Sequence, residues 1–383
     1  MKFDIVIIGG GLAGLSLAVA LRNSPLTIAI VESRQPVTPD GWDARTYAIS
    51  PANKRFLAEI GAWQHFDKTR IAPVRTMEIS GDAGGRLDFS AFDSGVSELA
   101  WIMESALIQG ELWETAKRQG NLSLLCPAKP GALAFAERAQ LTLADGRELS
   151  ASLIVAADGA DSWTREAAGI AVEFKAYDEM GVVANFACEK PHRDTAFQWF
   201  RDNGVLAWLP LPQGMISMVW STPTDHARDL LALAPGELNR QVAESGDWRL
   251  GKLSLVTPPA AFPLRLMRAP HCVAPRLALI GDAAHTIHPL SGHGINLGFQ
   301  DSRVLADLLR NLPDYLDCGD QRLLRRYERT RREEVVALQS ATHALQRLFR
   351  PRNPALALLR NVGLNLTNAL PVVRDALVRY ALG

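Results

Sequence analysis

Residues 3–32 read FDIVIIGGGLAGLSLAVALRNSPLTIAIVE, and this stretch indicates the fold class. The apolar run FDIVII predicts a buried strand over 3–8, the glycines predict a turn over 9–14, and small apolar residues predict a helix over 15–22. A second apolar run, TIAIV over 27–31, predicts another strand. The stretch therefore forms a complete βαβ unit, the building block of parallel sheets in α/β proteins.

The turn spells G-x-G-x-x-G. Gly9 permits the tight turn, Gly11 lets the backbone approach a pyrophosphate, and Gly14 allows close packing of helix on strand. Leu12 and Ala13 stand where the N–H groups and the positive dipole end of a helix favour phosphate. We therefore predict a nucleotide-binding turn, against the alternative of a glycine-rich packing turn without a ligand.

Glu32 follows the second strand. An acidic side chain at that place accepts hydrogen bonds from the ribose hydroxyls of an adenosine. It favours the unphosphorylated ribose of FAD or NAD over that of NADP.

A second nucleotide-edge signal lies late in the chain. The apolar run RLALI over 276–280 predicts a buried strand that stops at Gly281, and Asp282 then projects from its carboxyl end. Ligands of open α/β sheets bind at that edge, so Asp282 is a candidate to bind the hydroxyls of a ribityl chain. The alternative is that Asp282 is an ordinary helix N-cap.

The segment PLSGHGINLG over 289–298 follows directly. Gly292 and Gly294 let the chain pass flat against a planar ring, and a helix predicted from Gly294 aims its first N–H groups at that ring. Such a helix terminus stabilises the negative charge of a reduced flavin. Pro289 is expected to hold the ring, and Ile295 and Asn296 complete the predicted contact set.

The middle of the chain changes character. Segments 181–188, 196–200, 205–209 and 215–221 are rich in Val, Phe, Trp and Met and are separated by turn-forming residues, so they predict antiparallel strands. Aromatic residues in these strands, including Trp199, Trp208 and Trp220, are interpreted either as one wall of an apolar pocket or as ordinary core packing.

At this point the sequence resembles a known family. The segment GDAAHTIHPLSGHGIN over 281–296 is similar to the flavin loop of single-component FAD-dependent aromatic hydroxylases, and within them to the ubiquinone-biosynthesis hydroxylases. DGADSWTR over 158–165 resembles their D-G-x-x-S-x-x-R element, DARTYAIS over 43–50 their arginine-containing loop, and 360–383 their C-terminal ending.

The resemblance implies an FAD-binding Rossmann-type α/β domain with an inserted antiparallel β-sheet substrate domain and a C-terminal helical tail. We predict a discontinuous FAD-binding domain over 1–75, 100–176 and 263–330. The substrate domain is predicted over 76–99 and 177–262, and the helical tail over 331–383.

The resemblance also implies the chemistry. NADH or NADPH visits transiently and reduces FAD, O2 reacts to give a C4a-hydroperoxide, and the ring of a polyprenylated phenol is hydroxylated. Arg45, Asp158 and Arg165 are expected to serve FAD or the nicotinamide cofactor. Pro289 and His293 are the candidates for the flavin face, and this chemistry requires no side-chain nucleophile.

Two residues depart from the branch pattern. Ser291 and His293 stand where the family has Ala and Gln. The imidazole of His293 either alters substrate choice or hydroperoxide stability, or it replaces one polar contact with another. His285, His288 and His293 lack a Cys or Glu partner at ligand spacing, so we predict no metal site.

The charge pattern bears on partners. The formal net charge is zero, which argues against nucleic-acid binding. Residues 322–383 nevertheless hold twelve arginines and four acidic residues. This tail, with Arg347, Arg350, Arg352 and Arg360, predicts a basic amphipathic surface for a membrane or an acidic partner, against the alternative of a helix packed on the body.

The cysteines and the tail predict where the protein acts. Four well-separated cysteines fit a reducing, cytoplasmic setting, with peripheral contact at the inner membrane suggested by the tail. One rival is a flavin hydroxylase of a small phenol or secondary metabolite. The other is a catalytically silent flavoprotein subunit of a membrane-associated biosynthetic complex. The sequence leaves monomer or homo-oligomer open.

Overall fold

The computed structural model describes residues 1–287, 294–313, 315–349 and 354–369. The strands are β1 Lys2–Ile8, β2 Ile28–Val31, β3 Thr46–Ile49, β4 Ala72–Val74, β5 Thr76–Ser80, β6 Arg86–Ser90, β7 Ala100–Glu104, β8 Leu122–Leu125, β9 Pro130–Phe135, β10 Ala139–Leu143, β11 Glu148–Ala156, β12 Glu173–Cys188, β13 Thr195–Arg201, β14 Gly204–Leu211, β15 Met215–Pro223, β16 Leu253–Leu255, β17 Ala260–Arg268, β18 Val273–Ala274, β19 Leu277–Leu279 and β20 His285–Thr286. The helices are α1 Leu12–Ala20, α2 Pro51–Glu59, α3 Ser105–Lys117, α4 Trp163–Ala167, α5 Thr224–Ala232, α6 Pro235–Ser245, α7 Gly294–Arg310, α8 Gln321–Phe349 and α9 Pro354–Ala369.

The first sheet carries the predicted βαβ unit. Its order is β18-β19-β11-β1-β2-β8, and β1 runs parallel to both β2 and β11. The predicted helix begins earlier than expected, at Leu12, because Gly11 is its N-cap and the Gly11 carbonyl accepts from the Leu15 N–H at 2.9 Å. The first turn of α1 therefore lies inside the glycine motif.

Both faces of this sheet are covered. Ile5 and Ile7 on β1 belong to a core shared with α1, α3 and α7, whereas Val6 and Ile8 belong to a second core completed by the β9–β10 hairpin. A strand buried on both faces reads as a continuous apolar run, which is why residues 3–8 show no alternation.

The second sheet contains the predicted middle strands. Its order is β20-β17-β12-β15-β14-β13-β5-β6, with β16 beside β12. All the described pairs are antiparallel except β13 with β5, which is parallel. Helices α5 and α6 pack on one face through Ala227, Leu230, Leu238 and Val242. The fold class is thus confirmed, while the domain boundaries stay predictions.

A small third sheet, β3-β7-β4, was not predicted from the sequence. It joins the arginine-containing loop to α3, since β3 and β7 pair from Thr46–Glu104 to Ile49–Trp101. Its strands are only three to five residues long, so their apolar pattern is too short to separate from a loop.

The tail is helical as predicted as far as it is described, but one assignment was wrong. Arg360 on α9 is only 6 % exposed and pairs with Asp82, because α9 lies against the β5–β6 hairpin. Arg360 therefore adds nothing to a basic surface. Arg350, Arg352 and residues 370–383 lie outside the described residues. None of the helices in the described ranges has the length and apolar character needed to cross a bilayer.

Candidate cofactor and substrate site

The glycine turn is built by steric necessity. Gly9 has φ +110°, and a Cβ there would overlap the carbonyl oxygen of Ala157 at the end of β11. A Cβ on Gly14 would overlap the Gly9 carbonyl oxygen, so Gly14 sets the close contact of α1 with the turn. A Cβ on Gly11 would meet nothing within 4 Å. Gly9 and Gly14 are thus needed for folding, and Gly11 leaves open space where a pyrophosphate is predicted.

Glu32 reaches back to the same turn. One carboxylate oxygen accepts from the Gly10 N–H at 2.6 Å, and the other accepts from the Arg34 N–H at 3.0 Å. Gln109 on α3, which the sequence analysis missed, donates to the Gly10 carbonyl at 2.8 Å. The carboxylate is held at the turn, where its predicted contact with a ribose stays a prediction.

The D-G-x-x-S-x-x-R element holds its own loop together. Asp158 accepts from the backbone N–H and the hydroxyl of Thr164, both at 2.9 Å, and from the Ser162 hydroxyl, so it fixes the start of α4. Arg165 is 5 % exposed and donates to the carbonyls of Ala283 and Ala160, both at 2.9 Å. In this structure Arg165 braces the backbone beside Asp282, and direct contacts of either residue with a cofactor stay predictions.

Asp282 lies in the short 3₁₀ turn Gly281–Ala283, so it is not the N-cap of a helix. Its side chain opens into the large cavity that Arg45 also lines. The walls of the cleft remove much of the water around this carboxyl and so raise its pKa, against the attraction of His285 and Arg45. A carboxyl in this setting is suited to accept hydrogen bonds from ligand hydroxyls.

A buried ion-pair network fixes the Gly281–Asp282 turn from behind. Asp301 on α7 is 1 % exposed and accepts from the Gly281 N–H at 2.9 Å and from His285 Nε2 at 2.7 Å. Its other oxygen accepts from Arg331 Nε on α8 at 2.7 Å. Burial alone raises the pKa of Asp301, but His285 and Arg331 outweigh it, so the pKa lies below its ordinary value.

The sequence offered one signal for this missed residue. Leu297, Asp301 and Leu305 are four residues apart on α7 and all are buried. A charged residue at an apolar position of an amphipathic helix indicates a buried partner.

Asn296 joins α7 to the arginine-containing segment. Its amide donates to the Ala48 carbonyl at 2.8 Å, and its oxygen accepts from the Ser50 N–H at 3.0 Å and from Asn53 Nδ2 at 2.9 Å. These contacts hold the beginning of α7 at the cavity wall.

One cavity of about 920 Å³ brings many of the predicted residues together. The predicted residues that line it are Gly11, Leu12, Ala13, Arg45, Gly281, Asp282, Gly294, Ile295 and Asn296. Gly9, Gly14, Glu32, Asp158 and Arg165 lie behind or beside this lining. Pro289, Gly292 and His293, with Ser291, lie outside the described residues, so their predicted flavin contacts stay predictions.

The far wall of the cavity is one face of the second sheet. Val183, Ala207, Leu209 and Val219 line it. Trp199, Trp208 and Trp220 point the other way, into the core with α5 and α6. Alternation along a strand puts neighbouring residues on opposite faces, so these tryptophans face the core while the residues next to them face the cavity. The interpretation of the tryptophans as core packing is therefore correct, and their interpretation as a pocket wall was wrong.

These residues fit FAD on three structural observations. The space at Gly11 is open, Asp282 presents a carboxylate to the cavity, and α7 begins at the cavity wall with Gly294. An open glycine suits a pyrophosphate, and a carboxylate suits the hydroxyls of a ribityl chain. A helix N-terminus suits a ring that gains negative charge on reduction.

Solved structures share this fold. The FAD-dependent monooxygenase PqsL of Pseudomonas aeruginosa, described as probable, superposes with a TM-score of 0.78 at 22% identity, covering 95% of this chain and 99% of that one. HpxO of Klebsiella pneumoniae, solved with FAD and uric acid, has a TM-score of 0.76 at 18% identity, covering 99% and 97%. At these identities the likeness concerns the fold alone.

Sequence relatives are more specific. Residues 2–342 match the family described as FAD binding domain. The 3-demethoxyubiquinol 3-hydroxylase of Escherichia coli is 33% identical, with 99% of this chain and 98% of the relative covered. The mitochondrial ubiquinone biosynthesis monooxygenase COQ6 of Drosophila melanogaster is 32% identical, with 100% and 90% covered. The chain therefore belongs to the FAD-dependent aromatic hydroxylase superfamily, in its ubiquinone-biosynthesis branch.

Proposed function

We propose that this chain is an FAD-dependent monooxygenase that hydroxylates the aromatic ring of a polyprenylated phenol in ubiquinone biosynthesis, using NADH or NADPH and O2. One observation carries the proposal. A single cavity of about 920 Å³ is lined at one side by the Gly281–Asp282 turn and the start of α7, and at the other by an apolar sheet face. Cofactor and ring thus share one space.

The residues of the chain divide the work. Gly11 and the N-terminus of α1 receive the pyrophosphate, Glu32 the adenosine ribose and Asp282 the ribityl chain. When bound, FAD supplies the electron transfer and the reaction with O2. The protein orients the ring and keeps water away from it.

The chemistry of the cavity lining favours a prenylated ring over a small phenol. Met77, Phe89, Leu99 and Phe262 add to its apolar lining. The names of the relatives, which act in ubiquinone biosynthesis, support the same substrate class.

The nicotinamide cofactor is proposed to bind only transiently. The sequence holds no second strand-linked G-x-G-x-x-G, so no second resident dinucleotide is expected. Arg45 is exposed to the cavity and stacks on the Tyr47 ring at 5.4 Å, which leaves its charge available for an anionic visitor.

We propose that the tail makes peripheral contact with a membrane. Such contact also suits a protein that belongs to a membrane-associated biosynthetic complex. Val362 and Leu366 on α9 are 52 % and 58 % exposed, one helical turn apart. They present an apolar strip that suits the surface on which a prenylated substrate dissolves.

The test is substrate-stimulated oxidation of NADH or NADPH by the purified, FAD-loaded protein. We expect a farnesylated phenol to stimulate oxidation and to be converted to a hydroxylated product, which mass spectrometry detects. Stimulation by small phenols only would favour the hydroxylase of a small phenol. No stimulation by any phenol, with FAD bound, would favour the catalytically silent subunit.

A further inference from the structure

The sheet wall of the cavity holds one buried amide. Along β13, Phe197 and Trp199 point into the core with α5 and α6, while Ala196 and Gln198 point into the cavity. The alternation of the strand thus places Gln198 on the substrate side. Its side chain is 7 % exposed.

The neighbours of Gln198 on that wall are small or apolar. In the strand register Gln198 lies opposite Ala207, Ala207 opposite Val219, and Val219 opposite Val183. Adjacent strands are about 4.8 Å apart, so these side chains form one row across four strands. On its other side Gln198 lies beside Ile79 of β5, so the row around the amide offers no hydrogen-bonding side chain.

Gln198 also differs from Ser217 and Asn185, two polar residues of the same sheet whose side chains each bond to another part of the chain. Ser217, in the next row, accepts from the Thr46 hydroxyl at 2.8 Å, and Asn185 donates to the Asp43 carbonyl at 2.9 Å. Across the described ranges of the chain, the Gln198 amide makes no hydrogen bond with another protein group. When an apolar ligand displaces water from the cavity, this amide requires a partner on the ligand.

We propose that Gln198 orients the substrate by hydrogen bonding to the oxygen substituent of its aromatic ring. This inference rests on the proposed function. The amide accepts at Oε1 from a phenolic hydroxyl or donates from Nε2 to a ring oxygen. The apolar row of Ala207, Val219 and Val183 contacts the carbon edge of the ring and the beginning of the prenyl chain. Gln198 thereby selects oxygenated rings and sets which ring carbon faces the flavin.

The variant Gln198→Met tests this assignment, since Met has a similar length and shape but no amide. The control is Gln140→Met, at an exposed position of β10 in the other sheet. Binding of a farnesylated phenol and of the farnesylated benzene without the hydroxyl is measured through the change in flavin absorbance of the FAD-loaded protein.

We expect wild type and Gln140→Met to bind the phenol about 10–100-fold more tightly than the benzene. In Gln198→Met this ratio falls to about one, because tighter binding of the phenol depends on the amide. The fraction of oxidised NADH or NADPH that yields hydroxylated product also falls, since the ring is no longer held in register.

An unchanged phenol-to-benzene ratio in Gln198→Met overturns the assignment of Gln198 while the proposed function stands. Wild type that holds FAD but binds neither ligand overturns the proposed function, and this inference with it. If Gln198→Met fails to retain FAD, Gln198→Leu replaces it, since Leu also lacks the amide. Its phenol-to-benzene ratio falls to about one if the proposal holds and stays at the wild-type value if it does not.

Discussion

Asp301 on α7 accepts a hydrogen bond from the backbone N–H of Gly281 at 2.9 Å. The two residues belong to different elements, and the contact ties the turn that carries Asp282 to the helix that begins at the cavity wall. Arg331 on α8 neutralises the same carboxylate. The position of the Gly281–Asp282 turn at the proposed FAD site therefore depends on the buried carboxylate of Asp301.

The first prediction concerns this charge. Asp301→Asn removes the buried partner of Arg331, which then keeps only the half-exposed Glu334, and breaking such a buried pair costs up to about 3–5 kcal/mol of unfolding free energy. The Gly281–Asp282 turn also loses its support, so we expect the Kd for FAD to rise about 10-fold or more. Urea unfolding and flavin fluorescence measure the two effects.

The matched control is Asp307→Asn on the same helix. Asp307 is half exposed and, among the described residues, pairs with Arg310 three residues on, so we expect changes below about 1 kcal/mol and unaltered FAD binding. If the Kd of Asp301→Asn for FAD equalled that of wild type, the buried ion-pair network would have no role in positioning the Gly281–Asp282 turn for FAD.

The second prediction separates two glycines. Gly14→Ala forces its Cβ against the Gly9 carbonyl oxygen and is expected to lower the unfolding free energy by about 1–3 kcal/mol. Gly11→Ala meets no protein atom, so its stability without FAD should change little, whereas its Kd for FAD should rise about 10–100-fold. Thermal unfolding of the FAD-free variants and FAD titration distinguish them. Equal FAD affinity of Gly11→Ala and wild type would argue against a pyrophosphate at this turn.

The third prediction concerns pH and Asp282. The pKa of Asp282 is raised in the folded protein, so the folded state favours the protonated carboxyl. The resulting contribution to the unfolding free energy is complete below the pKa of the unfolded chain, about 3.9, and it is lost as the pH rises through the folded-state pKa. Asp282→Asn should therefore stabilise the FAD-free protein at neutral pH and match wild type below about pH 4. Urea midpoints across this range measure the difference.

The same variant should bind FAD more weakly at neutral pH, by about 10-fold or more, since an amide accepts ribityl hydroxyls less strongly than a carboxylate. Asp307→Asn again serves as the control, with no gain at either pH. A destabilised Asp282→Asn protein at neutral pH would show that the carboxylate supports the fold rather than the ligand.

The fourth prediction concerns the arginine that braces the turn. Arg165→Met removes both donors to the Ala283 and Ala160 carbonyls, so the turn gains freedom. We expect weaker FAD binding by about 10-fold with unchanged preference between NADH and NADPH, which steady-state kinetics of NADH and NADPH oxidation would reveal. A lost preference with normal FAD affinity would instead indicate direct contact with the nicotinamide cofactor.

Local sequence was sufficient to predict the βαβ unit and the strand that precedes Gly281. Apolar runs and glycine spacing depend on near neighbours, and the structure confirms those elements. Asp301, Arg331 and Gln109 were missed because their partners lie 16 to 99 residues away. The apolar spacing around Asp301 indicates that it is buried, but no local pattern identifies its partners. Gln198 was missed because the prediction drew on the tryptophans and did not say which residues of β13 face the core and which face the cavity.

A reaction under heavy-isotope oxygen gas tests directly whether the protein transfers oxygen from O2 to the ring. Purified, FAD-loaded protein is supplied with NADH or NADPH and a farnesylated phenol, and the product is examined by mass spectrometry. We expect one labelled oxygen atom on the ring for each nicotinamide oxidised. Nicotinamide oxidation that yields only hydrogen peroxide, or a hydroxylated ring without the label, would contradict it.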